Sequence, residues 1–235
     1  MGYNMKTSIL SVSAITAAFF MTSPNAMANF SIGQSGVVVS ATTGEAHIAV
    51  KNLGSQEILL FASESEDETK AIAGRSLFML SPPISKLKPG ESQVVRIFLK
   101  DKTISKEMLG RLRFQELTSE PNNKTKTIIN SSYNIAAVAR PAALVENPEP
   151  WKGLKIENSN GGVSLKNDSL YVVRLMKTVK FNDSGKVKSI NITNGFILPG
   201  QDIKFDTISY ASLKSVEISP VSTTASILPP YTITN

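Results

Sequence analysis

From residue 29 onward, apolar side chains recur at every second position in short runs, and Gly-, Pro-, Asn- and Asp-containing turns separate the runs. Ala46, Ile48 and Val50 alternate with His47, Ala49 and Lys51 ahead of the turn Asn52-Leu53-Gly54. Val95, Ile97 and Leu99 share one face of residues 93–99, and Leu112 and Phe114 alternate with Arg111, Arg113 and Gln115. A period of two puts one face of a strand in a core and the other in water. With further runs at 37–40, 58–63, 77–80 and 110–117, about seven strands in ~110 residues predict an immunoglobulin-like sandwich. Helical periodicity is almost missing. Residues 103–109 are the one amphipathic-looking stretch and read as a turn. The acidic stretch Glu64, Glu66, Asp67 and Glu68 reads as a solvated loop, since it lacks the glycine and ligand spacing of a calcium loop.

The longest run is residues 126–141, rich in Ile, Val, Thr and Tyr and free of Gly and Pro until Pro141. At ~15 residues it is well beyond the usual strand of ~5–6. It predicts a strand that closes one domain, offers an edge to something else and leads into a second domain. Pro148 and Pro150 follow it, and Trp151 reads as packing at the junction. Beyond lie weaker strand runs at 154–157, 163–166, 171–181, 187–192, 203–208, 216–219 and 231–234. Asn160-Gly161-Gly162, Asn182-Asp183-Ser184-Gly185, Asn194-Gly195 and Pro199-Gly200 are turn signals between them. The predicted fold class is all-β: two sandwiches in tandem, residues 29–142 and 153–235, joined by residues 143–152.

Composition narrows the setting. Lys6, a mostly apolar run at 9–21 and Ala26-Met27-Ala28 have the layout of a cleaved signal peptide over residues 1–28, which predicts an exported soluble protein beginning at Asn29. No later stretch is long and apolar enough to span a bilayer. The chain has no cysteine, which excludes disulfides and thiolate metal sites and leaves stability to the cores. Its net charge of +6 is spread along the chain rather than clustered, so it gives no nucleic-acid footprint. His47 is the single histidine and reads as solvent-facing; no triad, phosphate loop, H-E-x-x-H or G-x-S-x-G is present. The expectation is a protein that is not an enzyme and carries no cofactor or metal.

Several stretches, in order, resemble the periplasmic chaperones of the chaperone–usher pilus pathway. They are Leu77-Phe78-Met79-Leu80-Ser81-Pro82-Pro83, then Lys86-Leu87-Lys88-Pro89-Gly90-Glu91-Ser92 with Val94-Val95-Arg96-Ile97, then Phe114-Gln115-Glu116-Leu117, and Ala139-Arg140-Pro141-Ala142-Ala143-Leu144. The resemblance is strong over residues 76–144 and weaker beyond. It implies two immunoglobulin-like domains in a boomerang. The long strand of the first would be lent to pilus subunits whose own sandwich lacks a strand, and the loaded subunits would pass to an outer-membrane usher. Localisation would be periplasmic, with no nucleic-acid partner and no membrane insertion.

The resemblance also implies site residues. The face Thr127, Ile129, Ser131, Tyr133 and Ile135 is assigned to the subunit; the competing expectation is that this face packs in the chain's own core. Family members hold the subunit's terminal carboxylate with two cleft cations, and here Gly36 and Ala136 stand at those positions. Arg111 and Arg113 are the candidate substitutes, against the plainer reading of exposed arginines on a polar face. Glu116 and Arg140 are the expected interdomain salt bridge. The alternative function is a surface adhesin or pilus subunit with a sandwich fold.

Overall fold

The structure, a computed structural model, describes residues 29–117 and 131–234. The first half contains β1 (Phe30–Ile32), β2 (Gly36–Ser40), β3 (Glu45–Asn52), β4 (Ile58–Glu64), α1 (Glu66–Ala73), β5 (Phe78–Ser81), β6 (Ile84–Leu87), β7 (Ser92–Leu99), β8 (Met108–Leu117) and β9 (Ser132–Arg140). Two sheets form, in the orders β1-β3-β7-β5 and β2-β9-β8-β4-β6. The alternating residues do what their period requires: Ile48, Val50, Val95, Ile97, Leu99, Leu112 and Phe114 are all buried in one core. His47 is exposed on the other face of β3.

The chain changes sheets twice at places that matter for the site. β1 pairs with β3, whereas β2 pairs in parallel with β9. β5 pairs with β7, whereas β6, across Pro82-Pro83, pairs with β4. Proline has no N–H to strand at such a step. β6 lies in a stretch that alternation does not mark, because only Leu87 of its four residues is buried.

One element overturns the sequence reading. The acidic stretch is not a solvated loop: Glu64 ends β4, and Glu66, Asp67 and Glu68 open α1. Glu66, Asp67 and Glu68 occupy its first turn, where the helix dipole favours negative charge, and Glu66 pairs with Lys70 one turn on. Gly74 ends it in the left-handed conformation, φ 75°, donating its N–H to the Lys70 carbonyl. At eight residues the helix is too short to establish a period. It lies against β8, where Gly110 lets Phe78 and Thr69 approach closely.

The second half contains β10 (Leu154–Ser159), β11 (Gly162–Asn167), β12 (Val173–Arg174), β13 (Thr178–Asp183), β14 (Lys186–Asn191), β15 (Phe196–Ile197), β16 (Asp202–Phe205), β17 (Leu213–Ile218) and β18 (Tyr231–Thr234). β10-β11-β16 and β14-β13-β17-β18 are its larger sheets, and β12 pairs with β15. A second core lies among these strands, with Phe181 and Phe205 at 4.6 Å and Trp151 packed into it. The run 171–181 is two strands rather than one. Between them Leu175 donates to the Gly195 carbonyl and Met176 to that of Ser219, so the chain passes from one sheet to the other.

Candidate functional site

The strand β9 has two unequal edges. Along one it is paired with β8 from Gln115↔Ser132 to Met108↔Ala139. Along the other, β2 covers it only from Gly36↔Ala136 to Ser40↔Arg140. The edge over Ser132 to Ile135 therefore has no strand partner among the described residues. Unpaired strand edges are templates for adding another strand.

The side chains of the predicted donor face divide at this point. Ile135 is 5% exposed and belongs to the first core, and Tyr133 packs against that core. The Tyr133 ring lies edge-on to Phe30 at 5.1 Å, and its hydroxyl donates to the Phe30 carbonyl at 3.1 Å. These two residues point into the chain's own sandwich, as sandwich strands ordinarily do. Ser131 is half-buried; its Oγ accepts from the Asn29 N–H, and its carbonyl accepts from the Glu116 N–H. Thr127 and Ile129 lie outside the described residues. The opposite face carries Ser132 and Asn134 in the open and the buried Ala136. Asn134 donates to Glu68 of α1 at 2.7 Å. Ala136 joins Leu109, Val138 and Val172 in a small cluster between the halves, with Ile72, Phe196 and Leu198 against it.

The cations sort by partner. Arg113 pairs with Glu68 at 3.5 Å. Arg111 stands opposite Ala136 on β8, and no acid lies within ion-pair distance of it among the described residues. Gly36 and Ala136 are themselves register partners, so the two positions that carry cations in the resembled family face each other here without charge. Sequence reasoning did not find Arg174 of β12, which shares with Arg111 a cleft of ≈ 410 Å³ lined by Tyr133, Asn134, Ile135 and Ala136. Its Nη1 donates to the Ser222 and Thr223 carbonyls at 2.8 and 3.0 Å. Burial, and then the nearby Arg111 charge, push the Arg174 guanidinium below the ordinary arginine range. Nothing in the local sequence marks it, because only the docking of the second half on the first brings it to β9.

The expected pair Glu116–Arg140 does not form. The two lie at opposite ends of the β8–β9 ladder, and Glu116 instead accepts from the Asn29 amide at 2.9 and 3.1 Å. Arg140 Nε donates to Glu107 Oε1 at 2.8 Å, and Glu107 Oε2 accepts from the Val172 N–H of the second half at 2.9 Å. Glu107 sits in the stretch read as a turn, where a lone acid between Lys106 and Met108 gives no sign of burial. Among the described residues no His, Asp or Glu group could hold a metal ion, and no helix is long and apolar enough to cross a membrane.

Comparison with known proteins agrees with this architecture. Residues 29–145 match the pili and flagellar-assembly chaperone family, PapD N-terminal domain. The chain is 26% identical over 208 residues to an uncharacterized fimbrial chaperone, YhcA, of Escherichia coli K12, covering 87% of this chain and 90% of that one. Among solved structures, the E. coli chaperone DraB superposes with a TM-score of 0.67 at 15% identity, over 88% of this chain and 98% of its own. The complex of Salmonella enterica SafA pilin with the SafB chaperone matches with a TM-score of 0.67 at 17% identity, over 89% and 97% of the two chains. The chain thus belongs to the PapD-like family of non-enzymatic periplasmic chaperones for pili and fimbriae.

Proposed function

We propose that this chaperone captures pilus subunits by lending them the open edge of β9 and the segment just before it, and then hands them to an outer-membrane usher. The reading of a surface adhesin or pilus subunit gives way to the family assignment. One observation carries the proposal: among the described residues β9 has no strand partner from Ser132 to Ile135 on the side where β2 begins only at Gly36. A subunit with an incomplete sandwich exposes backbone groups and an apolar groove. A strand set along that edge would satisfy the backbone, and side chains at alternate positions would enter the groove. The reading assigns Thr127, Ile129 and Ser131 to that groove, Thr127 and Ile129 lying outside the described residues, whereas Tyr133 and Ile135 contribute backbone and keep their side chains in the first core. SafB, a structural relative, is solved in complex with a pilin, and a client of that kind is the one this reading assigns to the β9 edge. Arg111 and Arg113 flank it as candidate anchors. The first sandwich spans residues 29–142 and the second 153–235, with an exported chain working in the periplasm.

The test is co-expression with the pilus subunits of the host and one-to-one co-purification. Ile129→Asp is expected to abolish capture while leaving the circular dichroism spectrum and melting temperature unchanged. Full capture by that variant rejects the donor segment. Ile135→Asp is not an equivalent probe, because Ile135 is 5% exposed in the core and an unpaired carboxylate there unfolds the domain.

A further inference from the structure

Where β4 ends opposite Leu112, α1 takes over the edge of β8. The Arg111 carbonyl accepts from the Ser65 N–H at 2.8 Å, and the Arg111 N–H donates to the Thr69 hydroxyl at 3.0 Å. Glu64 closes the base of this excursion, its carboxylate accepting from the Leu77 and Phe78 N–H groups at 2.8 and 3.1 Å just beyond the helix. The helix is thus anchored at its base and along β8, and Glu68 reaches from it over the outer face of the sheet. Glu68 accepts from the Asn134 side-chain amide at 2.7 Å and lies 3.5 Å from the Arg113 guanidinium. Arg113 and Asn134 are register partners on β8 and β9, so one carboxylate holds a cross-strand pair.

The backbone of Asn134 faces the open edge. The Glu116 N–H donates to the Ser131 carbonyl, and in an antiparallel ladder the direction of the backbone groups alternates from residue to residue. Tyr133 and Ile135 therefore turn theirs toward β8. Ser132 and Asn134 turn theirs toward the side that has no strand partner among the described residues. Backbone hydrogen bonds of a strand paired on one side only open more readily than those of a strand paired on both. Support along the edge would block it, whereas support on the face leaves it free. Glu68 supplies support on the face.

We propose that Glu68 is a positioning residue for client capture: it fixes the stretch of β9 that carries the free backbone groups, so that an incoming strand meets an edge already in place. This rests on the strand-addition reading above. An edge held in its bound conformation spares the ordering cost at the moment of capture. The Glu68–Asn134 hydrogen bond is charge-assisted, the stronger kind, and Asn134 lies within the unpaired stretch. One turn on from Glu68, Ile72 packs on the cluster between the halves, together with Phe196 and Leu198. Residues four apart share a helix face, so α1 is braced by the second sandwich on the side from which it holds β9.

The free chain and the loaded chain are measured separately. In the free chain, Glu68→Ala is expected to speed amide hydrogen exchange at Tyr133 by about tenfold, with the melting temperature and exchange in β3 and β7 unchanged. Glu68→Gln keeps an acceptor for Asn134 and is expected to restore most of the protection. Asp67→Ala takes an acid from the same helical turn and is expected to leave Tyr133 unchanged, which separates the hold on β9 from helix stability. In complexes purified with the host's pilus subunits, release is followed as transfer to a labelled parent chain. Glu68→Ala is expected to release subunits about tenfold faster, and Asn134→Ala to match it with no added effect in the double variant. Unchanged exchange at Tyr133, an equal effect of Asp67→Ala, or faster exchange with parental release would each overturn the proposal. Loss of capture by Ile129→Asp alongside parental release by Glu68→Ala rejects the positioning role alone; full capture by Ile129→Asp rejects strand addition itself.

Discussion

Glu107 accepts from Arg140 at 2.8 Å, and the two side chains are 4% and 11% exposed. The second Glu107 oxygen accepts from the backbone of Val172, so one buried carboxylate ties the end of β9 to the second sandwich. Removing Glu107 leaves the buried Arg140 guanidinium with only the exposed Glu146 at 3.6 Å, and removing Arg140 leaves the Glu107 carboxylate buried without a cation among the described residues. Glu107→Ala is expected to cost about 3–5 kcal/mol in urea unfolding. The exposed pair Lys180–Glu217 offers a contrast, and Glu217→Ala should cost under ~1 kcal/mol. Equal losses at the two sites would show that burial of the Glu107 pair has no energetic consequence.

Two buried asparagines hold equivalent corners of the two sandwiches. Asn52, at the end of β3, donates to the Gln56 and Leu87 carbonyls, and Asn167, at the end of β11, donates to those of Tyr171 and Ile197. Both are 0% exposed. Alanine at either position takes the amide donor from one buried carbonyl, that of Leu87 or Ile197, and from one partly buried carbonyl, and a loss of ~2–3 kcal/mol is expected for each. Chemical denaturation of the single variants measures it, and a loss under ~0.5 kcal/mol would mean that water replaces the amide.

Gly36→Ala introduces a methyl group into space already held by the Thr223 carbonyl. The loop must move away, and a loss of about 1–3 kcal/mol is expected. A variant that keeps its stability would show that the loop yields freely.

Asp101 gives the acid limb of stability a definite sign. The Thr103 hydroxyl and N–H, and then Arg75, hold its carboxyl down to about 2. A folded value below the unfolded ~4 means the contribution is complete above ~pH 4 and is lost as pH falls toward 2. Asp101→Asn is therefore expected to be less stable than the parent at neutral pH, with the gap closing between pH 4 and pH 2. A gap that is constant with pH across that range would contradict it.

Alternation alone located β3, β4, β7 and β8, and for β3, β7 and β8 also the residues they bury, because a period of two in a half-buried strand is a local property. It did not find α1, whose eight residues are stabilised by an acidic first turn and by packing on β8. Nor did it resolve the donor face. Tyr133 and Ile135 share the alternation of Thr127, Ile129 and Ser131, and periodicity does not say which core a strand face joins; the structure places Tyr133 and Ile135 in the chain's own.

By itself the sequence determined that this is a thiol-free, mostly β chain of two sandwich-like halves, with a strand that ends at Arg140-Pro141. Those properties are written in neighbouring residues. The tertiary structure alone decided that Arg140 pairs with Glu107 rather than Glu116, that β2 starts opposite Ala136, and that Arg174 comes to stand beside Arg111. Each joins residues far apart in the chain. Ion pairs and strand edges depend on distances in space, which spacing along the sequence does not encode.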